Sequence, residues 1–462
     1  MKIKLTPTET KNKVFIKIQD KYNTRKDQIK SKLDSIKLEK NFKIVEETTL
    51  ENWKPTTNIF LVVKNLKTFE ENIEDIVIGL SKAIKQKDAK FSLSCKNLKL
   101  PQETEEIFVE LLAQAFYSFT KYKKDKSKYH LDINSTLDTE KLEAKIKNIY
   151  WARDLMNMPA NELNPDSYEE IIRQNFKNLP VKIKVIKWKE LEEIWAWGIF
   201  SVGKWSIHEP RMVILTYTPE KNKPYKAVVW KWVTFDSGGY NIKPTGYMED
   251  MNLDMWGSAI ALWIFKFLVE TNYQGNLICA IWLVENLVSH KSYTPTDIIK
   301  MYNWKTVKVS NTDAEWRLVL ADTLSYIEKN YKIEQIFDFA TLTWAAIVAL
   351  WNDIIAIMGP DSALNHKIQK TWWKIKERAW ELPLYAKYKE MLKTPFADIS
   401  NCTKWRAAWT ITAGLFLSEF VKTKKWVHFD IAGPDILENH PLYGTGGSGI
   451  GIRLGIKLMI NG

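Results

Sequence analysis

At 462 residues the chain is too long for one ordinary core, so two domains are the default. With 45% hydrophobic and 26% charged residues it reads as a globular protein. No run of 18 or more apolar residues is present, so no membrane span is expected. The start, MKIKLTPTET, lacks an apolar h-region, so no secretory signal is expected either. Cys95, Cys279 and Cys402 have no close spacing, which argues against a disulfide framework or zinc finger and suits a cytoplasmic protein. The net charge of +12 admits a nucleic-acid partner. Lysines are nevertheless spread along the chain, and the most basic stretch, Lys121 to Lys128, reads as a solvated loop.

In chain order, residues 1–137 read as a small α/β domain without visible chemistry. Residues 59–63 form a buried strand, and 71–87 and 103–121 have helical periodicity, with Ile107, Leu111, Leu112 and Phe116 on one face. Residues 138–165 are a connecting helix, 139–156, and a linker, NMPANELNP, where prolines and asparagines end the helix. From 166 to 462, strands at 212–217 and 227–229 alternate with helices at 257–270 and 317–329. That pattern predicts a second, larger α/β domain with a central mixed sheet. GTGGSG at 444–449 fits a dinucleotide template formally. With no helix following and no acidic residue about 20 positions on, it reads as a flexible turn.

Two segments concentrate chemistry. VVWKWVTFDSGGYNIKPTGYMEDMNLDMWG (228–257) offers Lys231, Asp236, Lys243 and Asp254. NTDAEWRLVLADTL (311–324) offers Asp313, Glu315 and Arg317. Hard oxygen donors in this number suit zinc, manganese or magnesium, and bridging carboxylates screen the repulsion between two cations. Glu249 and Asp250 read as supporting or solvated acids, not ligands. The six histidines lie outside both segments, which disfavours a histidine-based zinc site. TDAE before an apolar run also reads as a plain helix start, with Thr312 as cap and Glu315 three residues on.

These segments resemble the leucyl aminopeptidases of peptidase family M17, whose signatures run VGKGxTFDSGG, IKP, MxxDMGG and NTDAEGRLxLADAL. The likeness continues through ARDLMNMPANELNP (152–165), DFATLTWAAIVAL (338–350), ADISN (397–401) and WVHFDIAG (426–433), and covers most of 150–455. The resemblance implies a hydrolase removing N-terminal, Leu-like residues from peptides with a free N-terminus. It implies two divalent metal ions, manganese or zinc. Asp236 and Glu315 would bridge both, Lys231 and Asp254 would complete one site, and Asp313 the other. Lys243 would polarise the scissile carbonyl, and Arg317 would hold a bicarbonate ion acting as general base. Met251 and Leu342 would line the pocket for the N-terminal side chain. A homohexamer is implied as well. Two other readings are a DNA-binding regulator of the same family and a catalytically dead scaffold.

Trp occurs 21 times and Gly 18 times, an inverted ratio. Against the signatures, Trp stands where Gly belongs at Trp230, Trp232, Trp256, Trp316 and Trp344. Trp151, Trp195, Trp205, Trp304, Trp351, Trp405 and Trp409 fit the same rule. Glycine occupies positions of positive φ or close backbone approach, and an indole there costs about 1–3 kcal/mol or more. Twelve such sites would exceed a net stability of about 5–15 kcal/mol. The economical explanation is that these codons are UGA, read as glycine in the source organism and written here as Trp. Trp426 matches a family Trp and is expected to be genuine, as is Trp380.

Overall fold

The computed structural model describes the chain except residues 1–2, 6–9, 20, 23, 52–53, 88, 125–129, 231–232, 250, 252–255 and 462. Lys231, Trp232, Asp250 and Asp254 lie outside the described residues, as do residues 125–128 of the basic stretch. The chain divides into two compact units, Met1–Tyr150 with Glu438–Thr445, and Trp151–Leu437 with Gly446–Gly462. The helix Thr139–Met156 has the bounds its sequence pattern predicts, and the division falls inside it.

The first unit is built on a seven-stranded mixed sheet. Its central strand, Asn12–Ile18, runs parallel to Lys54–Val63 and to Lys90–Ser94. Helices Ile73–Lys85 and Gln102–Phe116 supply the periodic apolar faces. The second of these stops short of residue 121 because Tyr117 turns to extended backbone.

The larger unit holds a nine-stranded mixed sheet. Its strands lie in the order Arg378–Glu381, Ile354–Met358, Trp426–Asp430, Ile333–Ala340, Tyr225–Trp230, Asn276–Asn286, Arg211–Tyr217 and Lys182–Lys187, with Val233–Asp236 also pairing Asn276–Asn286. Four central strands, from Trp426–Asp430 to Asn276–Asn286, are mutually parallel. Strands covered on both faces should read as continuous apolar runs, and every residue of Asn276–Asn286 is buried. From Tyr225–Trp230 the chain pairs first with Asn276–Asn286 on one side and later with Ile333–Ala340 on the other. Such a reversal of direction opens a crevice at the carboxyl ends of the strands, where ligands bind in open α/β sheets.

The tryptophans sit uneasily in this fold. Of the bulky residues at positive φ, three are Trp195 (64°), Trp304 (73°) and Trp351 (60°). Trp195 follows helix Trp188–Glu193. Its N–H donates to Glu192 O and that of Ala196 to Leu191 O, the Schellman pair whose middle residue is usually glycine. Trp351, with φ 60° and ψ −159°, ends helix Trp344–Leu350 in a region that is essentially glycine's alone. Trp230, Trp263 and Trp282 are fully buried, and their indole N–H groups find no acceptor among the described residues. Trp426 is different, because its indole N–H donates to Asp338 Oδ2 at 2.5 Å.

GTGGSG departs from its reading as a flexible turn. Gly444–Gly447 is a strand, and the helix Ile452–Asn461 follows it. The apolar residues Ile452, Leu454, Ile456, Leu458 and Met459 drive that helix, and all are buried.

Candidate metal centre

Asp236 ends strand Val233–Asp236 and is fully buried. Its Oδ1 accepts from the Gly238 N–H at 2.8 Å and from Asn286 Nδ2 at 2.7 Å. The chain then folds tightly back, with Ser237 N–H and Oγ donating to Asn286 O and Lys243 N–H to Ser237 O. Gly238, at φ +84°, is required here, since a Cβ would lie 2.5 Å from Asn241 O and 2.8 Å from Asp313 Oδ1. This turn brings Lys243 Nζ to 3.0 Å from Asp236 Oδ2 and 2.6 Å from Asp313 Oδ1.

Asp313 and Glu315 come from the second segment. Asn311 caps the short turn Thr312–Ala314, its side chain accepting from the Asp313 N–H. The capping box read from TDAE does not form. Thr312 Oγ1 donates to Gly238 O at 2.7 Å and accepts from the Asn241 N–H, which stitches the two segments together. Glu315 occupies the cap position of helix Trp316–Asn330, but its side chain makes no capping bond. One carboxylate oxygen each from Asp236, Asp313 and Glu315 lies within 4.8 Å of the others. Asp236 and Glu315 are fully buried and Asp313 is partly exposed.

Three carboxylates so close repel one another unless cations sit among them. Their field reaches Tyr293, whose hydroxyl donates to Thr312 O at 2.8 Å. Burial, and then Glu315, Asp236 and Asp313, hold the Tyr293 phenol well above its usual pKa. A buried set of hard oxygen donors, with its loop closed by a glycine that tolerates no Cβ, fits divalent cations.

Arg317, the second residue of that helix, is 3% exposed, and its Nε and Nη1 find no acceptor among the described residues. Burial lowers its pKa, opposed by Cys402, Glu315 and Asp430. Leu342, just beyond strand Ile333–Ala340, and Met251 are both buried. Glu249 is exposed, consistent with a solvated acid. Sequence reasoning assigned no role to Asn286, Tyr293 or Asn401. Asn401 Oδ1 accepts from the Ser310 N–H at 2.7 Å, and its Nδ2 donates to the Asn311 and Ala314 carbonyls. It lies in the ADISN motif, and that motif was the only signal available.

The model of the cytosol aminopeptidase family, catalytic domain, matches residues 150–456. The chain belongs to the cytosol aminopeptidase family. It is 31% identical to a probable cytosol aminopeptidase of Clostridium perfringens, with 96% of each chain covered. It is 36% identical to one of Cenarchaeum symbiosum over 79% of this chain and 78% of that one. Among solved structures, the bottromycin maturation enzyme BotP in complex with Mn shares the fold, with a TM-score of 0.82, 24% identity and coverage of 98% of this chain and 99% of that one. As a member of the cytosol aminopeptidase family the chain is a hydrolase, a metal-dependent aminopeptidase. No helix among the described residues is long and apolar enough to cross a membrane.

Proposed function

We propose that the chain removes Leu-like N-terminal residues from peptides with a free N-terminus, using two divalent metal ions and bicarbonate. The observation that carries this reading is the convergence of Asp236, Asp313 and Glu315 beside Lys243, at the carboxyl ends of the parallel strands. Asp236 and Glu315 would hold both cations, Lys231 and Asp254 would complete one site, and Asp313 would complete the other. When bound, the metals supply Lewis acidity and a strongly nucleophilic water at neutral pH. Lys243, whose ammonium lies against Asp236 and Asp313, would stabilise the negative charge that develops on the carbonyl oxygen of the scissile bond. Arg317 would hold the bicarbonate through a planar fork of N–H donors, which fits its buried guanidinium, whose Nε and Nη1 find no acceptor among the described residues. Leu342 and Met251 receive the N-terminal side chain in an apolar pocket, which selects between similar side chains by about 1–3 kcal/mol. BotP, a fold neighbour complexed with Mn, supports manganese as one occupant. The working assembly is a homohexamer.

The functional protein carries glycine at the suspect tryptophans. Positive φ at Trp195, Trp304 and Trp351 supports this, as do the buried indoles that find no acceptor among the described residues, which add Trp263 and Trp282 to the positions the motifs indicate. UGG codons at Trp232 and Trp316 would contradict it. The activity test is hydrolysis of a leucyl chromogenic substrate with manganese or zinc, using protein made with glycine at those positions. Activity should appear there and vanish in Asp254→Ala. Absence of activity, or full activity in that variant, refutes the mechanism.

A further inference from the structure

Strand Trp426–Asp430 turns alternate side chains, Trp426, His428 and Asp430, to one face. Asp338 of the neighbouring strand lies on the same side, accepting from the Trp426 indole and pairing with His428 Nδ1 at 2.5 Å. Asp430 is the last member of this polar row and stands where the strand ends. It is fully buried. Its Oδ1 accepts from the N–H groups of Leu342 at 3.0 Å, Thr343 at 3.3 Å and Ala432 at 3.3 Å. Its Oδ2 accepts from Thr343 Oγ1 at 2.7 Å. Thr343 in turn caps helix Trp344–Leu350 and meets Thr410 Oγ1 at 2.7 Å.

A buried carboxylate is costly to retain, and an apolar residue could fill the same space. The return on that cost is geometric. The segment 341–343 leaves the sheet at the carboxyl edge, and the N–H groups of Leu342 and Thr343 there donate to a side chain in place of a strand. One carboxylate gathers both and clamps the hydroxyl that starts the next helix, so Leu342 has a fixed direction.

We propose that Asp430 is a positioning residue for substrate selectivity, holding the 341–343 segment so that Leu342 meets the substrate's N-terminal side chain. This rests on the reading of Leu342 as a pocket residue. Asp430 touches neither substrate nor metal in this role and acts through the backbone it holds.

The test is steady-state kinetics of the full-length, metal-loaded enzyme on leucyl and alanyl anilides, with Leu342→Ala as the control for the pocket itself. Asp430→Ala is expected to lower kcat/KM for the leucyl substrate by about tenfold. The alanyl substrate should lose much less, with the change carried mainly by KM. Asp430→Asn keeps an oxygen for the two N–H groups and should restore most of the leucyl preference. Should Asp430→Ala fail to fold, Thr343→Val removes one tie and leaves the carboxylate, and a smaller shift of the same ratio is expected. An unchanged leucyl-to-alanyl ratio in these variants, beside a changed ratio in Leu342→Ala, overturns the positioning role and leaves the pocket reading standing. An unchanged ratio in Leu342→Ala as well removes the pocket reading and the proposal with it.

Discussion

Asn286 Nδ2 donates to Asp236 Oδ1 at 2.7 Å, so the last residue of a fully buried strand orients one carboxylate of the Asp236, Asp313 and Glu315 cluster. The same amide reaches Thr312 O at 3.2 Å and thereby touches both segments of the site. Asn286→Ala is expected to weaken metal affinity by about 10–100-fold while leaving the fold intact. Metal titration followed by calorimetry, with circular dichroism as the folding control, checks this.

On the proposed role of Arg317 in holding a bicarbonate base, Arg317→Ala should lower kcat far more than it raises KM, because a base of that kind would act on the reacting water and not on substrate binding. Removing bicarbonate from the buffer should slow the parent enzyme and leave Arg317→Ala unaffected. Rate measurements in degassed and bicarbonate-supplemented buffers distinguish the two.

Asp322 gives a pH dependence that belongs to the fold. It accepts from the N–H groups of Gly198, Ile199 and Tyr302, yet burial outweighs these donors and pushes its carboxyl up to about 7. An unfolded Asp titrates near pH 4, so between roughly pH 4 and 7 the unfolded chain releases a proton that the folded chain retains. The stability contributed by Asp322 is therefore full below about pH 4 and is lost as the pH rises to about 7. At about 1.4 kcal/mol per pKa unit the loss is at most a few kcal/mol. Melting curves of the parent and Asp322→Asn across this range should diverge, with the parent losing ground as the pH rises.

Much of this architecture is legible in the residues. The helix Thr139–Met156 follows from its composition and the strand read at 212–217, observed as Arg211–Tyr217, from an apolar run, and TFDSGG and NTDAE mark the loops that converge. The braces are not legible. Asn286 is 50 positions from Asp236, and Asn401 is 90 from the Asn311 it holds, so only the folded sheet brings them together. Thr312 misleads for a related reason: its hydroxyl has a choice between capping its own turn and crossing to Gly238, and tertiary packing selects the second. The helix after GTGGSG was missed because glycines mask the apolar face that starts at Ile452.

Trp351→Gly and Trp195→Gly should each stabilise the chain as written by about 1–3 kcal/mol, since each relieves a positive-φ aromatic. Trp426→Gly should destabilise it, because it empties a buried site and strands Asp338 Oδ2. Denaturant midpoints of the three variants, compared with the parent, provide the check, and mass analysis of the protein from its own cells reads the residue at each position directly.

The most direct test of the central claim is titration of Mn2+ into chelator-stripped protein carrying the glycines, with leucyl anilide hydrolysis followed at each addition. Two equivalents per chain are expected, with full activity only after both have bound, and Glu315→Ala should lose both the binding and the activity. A single equivalent, or activity that persists in Glu315→Ala, would contradict a two-metal centre built on Asp236, Asp313 and Glu315.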